Sequence, residues 1–328
     1  MINRPLHILV VGGAGYIGSH MVKYLARAGY TVTTLDNLST GHADAVRYGS
    51  LVIGDMTDTP LLNQLFQTHA FDAVMHFAAS SLVGESVQHP AKYYQNNVSN
   101  TLNLLDAMVR HGVRHFIFSS TAATFGEPRT PRIKESHPQN PINPYGRSKL
   151  MVEQLLEDYD QAYGLKSVCL RYFNAAGADP EGELSERHEP ETHLIPLVLQ
   201  VAAGKRAAIS VFGTDYPTCD GSCVRDYIHV QDLCSAHLQA LEWLQRTDQS
   251  QRFNLGNGDG FSVLAVIQTA EMVTGRPIPI ERAQRRLGDP AHLIADARAA
   301  EQYLGWQPKY RALDQIINDA WRATVLRT

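Results

Sequence analysis

Leu6-His7-Ile8-Leu9-Val10-Val11-Gly12-Gly13-Ala14-Gly15-Tyr16-Ile17-Gly18 decides the fold. A short apolar run ends in a glycine-rich turn, and Ser19 to Ala28 then carries the helical spacing of Met21, Val22, Leu25 and Ala28. Strand, glycine turn and helix in that order are the setting in which such a turn cradles a dinucleotide. Gly12 suits the tight turn, Gly15 lets the backbone approach a pyrophosphate, and Gly18 lets the helix lie close on the sheet, so that phosphates meet the helix N-terminus. The next strand, Thr31 to Leu35, ends in Asp36. That is about 20 residues beyond the turn, where an acid binds the ribose hydroxyls of NAD and repels the 2′-phosphate of NADP.

Working outward, Leu51 to Gly54 and Ala73 to Phe77 read as further strands, the first followed by Asp55 and Met56, the second by Ala78 and Ala79. Strands alternating with helical patterns imply an α/β fold, a Rossmann-type doubly wound parallel sheet whose ligands gather beyond the carboxyl ends of the strands. Asp55 is placed for an adenine amino group or, equally, for capping a helix. Pro90 to His111 reads as one long helix, His115 to Ser119 as a fifth strand and Lys166 to Arg171 as a sixth. Between the last two, Pro128, Pro131, Pro138, Pro141 and Pro144 make a preset wall or lid. Beyond Ala178 the alternation lapses. Residues 1–178 therefore read as the NAD-binding domain, and residues 179–328 as a smaller mixed α/β substrate lobe with crossings back to the first.

Tyr145 and Lys149 stand four apart in the opening turns of a helix running to Tyr163, so they share a face, and an ammonium near a phenol favours its ionised form. Such pairs are common on solvated faces. This one follows a dinucleotide turn and a Ser119-Ser120-Thr121 cluster at a strand end, which makes a catalytic Tyr145, Lys149 and Thr121 the expectation. Thr121 could instead be a buried hydroxyl bonded to a backbone carbonyl.

The 328 residues carry a formal net charge of -4 and 19% charged residues, so no basic face for nucleic acid is advertised. No apolar run reaches the roughly 18 residues of a membrane span, and Met1 to Pro5 runs straight into the first strand without the regions of a signal peptide, so a cytoplasmic protein is expected. Cys169, Cys219, Cys223 and Cys234 are too irregularly spaced for a disulfide framework or zinc knuckle, and the 14 histidines are scattered; free thiols and no metal are expected.

On the glycine turn, Asp36, the Ser-Ser-Thr cluster and the Tyr-x-x-x-Lys pair, the chain resembles the extended short-chain dehydrogenase/reductase family. Val83-Gly84-Glu85-Ser86-Val87, Tyr145 through Glu153, Leu170 to Asn174, Phe212-Gly213 and Val224 to Val230 bring it close to that family's UDP-hexose 4-epimerases. The resemblance spans nearly the whole chain. It implies tightly bound NAD against Tyr16, Ile17, Asp36, Asn37, Asp55, Met56, Phe77, Asn96, Lys149 and Phe173, with Ser81 standing where some relatives have lysine. It implies a UDP-sugar against Asn174, Leu194, Phe212, Arg225, Arg286 and Asp289, the arginines meeting the pyrophosphate with planar forks. His193 becomes a second-rank contact and Leu293 the residue limiting sugar size.

The chemistry so implied is transient oxidation at C4, with Tyr145 as base, Thr121 assisting, and Lys149 holding the nicotinamide ribose and lowering the tyrosine's pKa. A homodimer through Pro90–His111 and Tyr145–Tyr163 is implied as well. Ala122-Ala123 after Thr121 argues against a 4,6-dehydratase, which needs an acid pair there. Epimerases of UDP-N-acetylhexosamines or UDP-uronates stay open, as does, from another class, a non-catalytic NAD-bound sensor, although such proteins typically lose the tyrosine or lysine that this chain keeps.

Overall fold

In the computed structural model, which describes residues 4–286 and 289–326, the apolar runs become a parallel sheet with helices between its strands. Residues 1–3, part of the stretch expected to run straight into the first strand, lie outside the described residues. In chain order the elements are β1 (His7–Val11), α1 (Tyr16–Arg27), β2 (Thr31–Asp36), β3 (Ser50–Ile53), α2 (Thr59–Thr68), β4 (Ala73–His76) and α3 (Val83–Gln88). They continue with α4 (Pro90–Tyr94), α5 (Asn100–Arg110), β5 (His115–Thr121), α6 (Pro144–Tyr163) and β6 (Lys166–Tyr172). The seven-stranded sheet runs Gln251–Leu255, β6, β5, β4, β1, β2, β3. β1 pairs in parallel with β2 on one side and β4 on the other, so the order reverses there, the position at which doubly wound sheets open a crevice for ligands. Leu9, Val11, Val74, Phe116 and Phe118 from the strands pack with Leu62, Leu104, Leu105, Met108, Val152 and Leu156 from the helices. This buried apolar area is the main term holding the sheet and helices together.

The chain forms two compact units. The first takes the sequence up to Gly126 with Pro138–Arg171 and Cys234–Phe253; the second takes Glu127–His137, Tyr172–Leu233 and the chain from Asn254. In the second, Asn174–Ala176 pairs in parallel with Tyr227–His229, and Ile209–Phe212 with Ile280–Ala283. Its core joins Val198 and Leu199 of helix Leu194–Ala202 to Ile267 of helix Val263–Thr274 and to Ile316 and Ile317 of helix Leu313–Val325. No helix among the described residues is long and apolar enough to cross a membrane.

Two elements depart from the sequence expectation. The single helix over Pro90–His111 is α4 and α5 joined by a π-helical turn at Gln95–Ser99. A π turn adds a residue without breaking the run of backbone hydrogen bonds, so apolar spacing gives no warning of it. Here the turn brings in Asn97, 1% exposed. The expected strand through Arg225–Val230 is two short strands and the start of a helix, split at Asp226. The buried Asp226 carboxylate accepts from the backbone N–H groups of Asn257, Gly258 and Ala295. Burial drives its pKa up to about 6 although those donors act against it.

Candidate functional site

The glycine turn is fixed by how little room it has. At Gly12, with φ of +80°, a Cβ would stand 2.4 Å from the Ala78 nitrogen; at Gly18 it would stand 2.1 Å from the Gly12 carbonyl oxygen. Glycine at these two positions lets α1 lie on the ends of β1 and β4. α1 then begins at Gly15 with no side chain capping it and no acidic residue in its first turn, leaving the positive end of the helix dipole for an anion. At the end of β2, Asp36 accepts from the Ala14 N–H at 2.9 Å and the Leu38 N–H at 2.8 Å. Each carboxylate oxygen keeps a second lone pair for a ribose hydroxyl. Asn37 donates to Asp55 at 2.5 Å. Burial raises the Asp55 pKa, but the Thr57 N–H and the Asn37 amide outweigh it and hold the carboxyl below its usual range. Met56 is buried beside it, Tyr16 is buried, Ile17, Phe77, Ala78, Ala79 and Asn96 are half-buried, and Ser81 is exposed. A buried acid, an uncapped helix start and a cradle that any Cβ would fill all suit NAD.

Asn97 anchors the loop after β4 to α6. It accepts from the Ser80 N–H at 2.9 Å, donates to the Ser80 carbonyl at 2.9 Å and lies 3.0 Å from the Ser148 hydroxyl, which in turn donates to the Tyr145 carbonyl at 2.7 Å. The α6 helix begins after Asn143, whose side chain accepts from the Gly146 N–H at 2.8 Å, with Pro144 in its first turn. That cap fixes the turn that carries Tyr145. The Thr121 hydroxyl at the end of β5 hydrogen-bonds the Tyr145 phenol and also accepts from the Ala123 N–H at 3.1 Å.

Lys149 is 3% exposed, donates to the Ser119 carbonyl at 2.8 Å and lies 4.7 Å from the centre of the Phe118 ring. Burial pulls its ammonium down to about 7, against Glu153 and Cys169, which hold it up. In the chain alone, burial pushes the Tyr145 pKa above the ordinary phenol value and only the Thr121 hydrogen bond acts the other way. Lys149 is not among the groups acting on Tyr145 there, its ammonium being turned to the Ser119 carbonyl. Beneath this pair, burial and then Lys149 keep the fully buried His76 neutral, with a pKa of about 3.

One turn along α6 from Lys149, Glu153 accepts from Arg171 on β6 through Nε at 2.9 Å and Nη2 at 2.5 Å, and from the Ser120 hydroxyl at 2.5 Å. Both side chains of the ion pair are at most 2% exposed. This pair and Asn97 were missed in the sequence. The available signal for Glu153 was its place four residues after Lys149, on the face already assigned to chemistry.

In the second unit, a cavity of about 450 Å³ is lined by Asn174, Leu194, Phe212, Arg225, Arg286 and Asp289, all six residues expected against a UDP-sugar, together with His193. The Arg225 fork binds Asp289 through Nη2 and donates to the Pro290 carbonyl at 2.9 Å, and the Arg286 guanidinium lies 3.9 Å over the Phe212 ring. Thus in the chain alone Arg225 and Asp289 hold one another, while Arg286 stacks on Phe212. Asn174 donates its amide to the Asp226 carbonyl at 3.1 Å. Phe173 is half-buried just before it, and Leu293 sits in the short strand beside Val224–Arg225. Glu191, Arg206 and Cys223 also line the cavity and were not expected there. The four cysteines are free, as expected from their spacing.

A Rossmann-type sheet with an NAD-shaped glycine turn, a Tyr-x-x-x-Lys helix and a cavity lined by arginines defines an NAD-dependent enzyme of the epimerase and dehydratase class. Residues 8–256 match the model of the NAD dependent epimerase/dehydratase family, and the chain belongs to that family. It is 56% identical over 314 residues to the UDP-glucose 4-epimerase of Halalkalibacterium halodurans, covering 96% of this chain and 94% of that protein. Among solved structures it resembles UDP-glucose 4-epimerase from Brucella ovis in complex with NAD, at 51% identity and a TM-score of 0.95 over 96% of this chain and 97% of that one. It also resembles the Bifidobacterium longum UDP-glucose 4-epimerase in complex with NAD+ and UDP, at 38% identity and a TM-score of 0.91 over 98% of each chain.

Proposed function

We propose that the chain interconverts UDP-glucose and UDP-galactose by transient oxidation at C4 of the sugar, with NAD retained throughout. The 56% identity to a named 4-epimerase over almost the whole chain carries this reading, and the Tyr145–Thr121 contact gives it a mechanism. NAD held there would supply a reversible acceptor for the C4 hydride. Gly12, Gly15, Gly18, Asp36 and Asp55 hold the dinucleotide, with Tyr16, Ile17, Asn37, Met56, Phe77, Ala78, Ala79, Ser81, Asn96 and Phe173 around it.

Tyr145 takes the proton of the 4-hydroxyl and gives it back from its Oη atom, and Thr121 orients that hydroxyl by sharing its hydrogen bond. Lys149 binds the nicotinamide ribose. Burial raises the Tyr145 pKa in the chain alone, so positive charge brought near the phenol favours its ionised form. Arg286 and Arg225 grip the pyrophosphate, Asp289 and Asn174 take polar groups of the nucleotide, and Leu194 and Phe212 supply apolar walls. Affinity concentrated on the unreacting UDP leaves the sugar free to turn between its two faces.

The protein acts as a cytoplasmic homodimer in this reading. Four free cysteines suit a reducing compartment, and α6 presents Met151 and Tyr163, 42% and 59% exposed, to a second copy. Incubating purified protein with UDP-glucose and following the anomeric proton of UDP-galactose by NMR tests the activity. Absence of that signal with NAD supplied would send the assignment to UDP-N-acetylhexosamines or UDP-glucuronate.

A further inference from the structure

The segment leading into helix Leu194–Ala202 carries a cluster that the proposed reaction does not use. Glu186, His188, Glu191 and His193 each bring one ligand atom to a common point, all four within 4.8 Å of one another. The side chains of both glutamates are only 7% exposed. His193 Nδ1 lies 2.6 Å from Glu186 Oε1 and 3.4 Å from Glu191 Oε1; His188 Nδ1 lies 3.1 Å from Glu186 Oε1 and 3.8 Å from Glu191 Oε2. Both histidines face both glutamates, so the four ligand atoms converge on one point. Glu191 is fixed independently, because its Oε1 accepts from the Thr192 and His193 N–H groups at 2.7 and 2.9 Å.

The 3.1 and 3.4 Å separations match those between neighbouring ligands of one cation, while the 2.6 Å contact is an ion-pair distance. Ligands about 2.0–2.2 Å from zinc stand roughly 3–3.6 Å from each other. Two imidazoles and two carboxylates are the donor set that suits divalent zinc and its first-row neighbours rather than magnesium or calcium, which favour all-oxygen sites. We propose that Glu186, His188, Glu191 and His193 form a divalent transition-metal site, best suited to zinc, in the wall of the 450 Å³ cavity. Glu191 and His193 line that cavity directly, so a bound cation would tie the approach to helix Leu194–Ala202 to the cavity wall.

This inference is independent of the 4-epimerase reading, since its readout is metal binding. Full-length protein is stripped with a chelator and titrated with Zn²⁺ by calorimetry at constant pH, and Glu186→Gln and His188→Asn variants are titrated in parallel. Circular dichroism and NAD binding, which rests on the first unit, report that each variant is folded. The site predicts one high-affinity zinc per chain, weakened at least about a hundredfold in either variant. A native chain that binds no zinc, or folded variants that bind it as tightly as the native chain, would overturn it.

Discussion

Glu153→Gln is the substitution that most sharply tests how the reacting end of β5 is held. Glu153 and Arg171 are 1% and 2% exposed at the side chain, and Glu153 also receives the Ser120 hydroxyl and the Gln139 amide. A glutamine keeps the shape but removes the charge and turns an N–H₂ toward the guanidinium, so the buried Arg171 loses the Glu153 carboxylate. Breaking a buried pair in this way costs about 3–5 kcal/mol. At roughly 2–4 °C of Tm per kcal/mol for a chain of this size, the variant melts roughly 6–20 °C lower. Thermal unfolding followed by circular dichroism, with and without saturating NAD, measures it. The double variant Glu153→Leu with Arg171→Met, which removes both charges, should recover most of the loss. A Glu153→Gln protein within about 1 kcal/mol of the parent, a typical single-mutation effect, would show that the buried charge of Glu153 does not hold Arg171 as argued.

Tyr145→Phe should lower kcat by roughly 10²–10⁴ while leaving NAD binding near its parental level, read by steady-state kinetics beside cofactor fluorescence; full activity would remove Tyr145 as the base. Gly18→Ala drives a Cβ to 2.1 Å from the Gly12 carbonyl oxygen, and should abolish NAD binding in whatever protein folds; an unchanged dissociation constant would contradict the cradle. Thr121→Val removes a hydrogen bond to the reacting group, so kcat should fall by about ten- to a hundredfold for a loss of about 1.5–3 kcal/mol. In the NAD-free chain, burial holds the Tyr145 proton above the ordinary phenol pKa. The folded state therefore keeps a proton that the unfolded chain releases, and the Tyr145 contribution to stability is lost as pH rises past about 10. Ultraviolet titration of parent against Tyr145→Phe checks this: a phenolate appearing below that pH without NAD would refute it.

The parts of the fold legible in the sequence are those where backbone geometry leaves one choice of residue. Gly12 and Gly18 sit where any side chain collides with backbone, so their spacing announces the strand, turn and helix directly. The Tyr145 and Lys149 pair was legible because helical periodicity alone puts them on one face. Less legible were features whose residues have an ordinary surface counterpart. Glu153 and Arg171 look like a solvated helix residue and a strand-end charge until β6 is laid beside α6. The π turn at Gln95–Ser99 leaves the apolar rhythm of Pro90–Arg110 intact while turning Asn97 inward. Asp226 interrupts an apolar strand pattern by a single residue, and only the later chain, through Asn257, Gly258 and Ala295, supplies the donors that explain it. The electrostatics were the least legible, because the Lys149 ammonium takes its state from burial and from Glu153 rather than from its distance in sequence to Tyr145.

In the proposed reaction the C4 hydrogen leaves the sugar and returns to it without leaving the protein. Turnover of UDP-glucose carrying deuterium at C4, with the product examined by NMR and mass spectrometry, tests this most directly. UDP-galactose should retain the deuterium at C4, with none in water and none in free NAD; loss of the label to solvent or to the cofactor pool would refute a hydride kept on the protein.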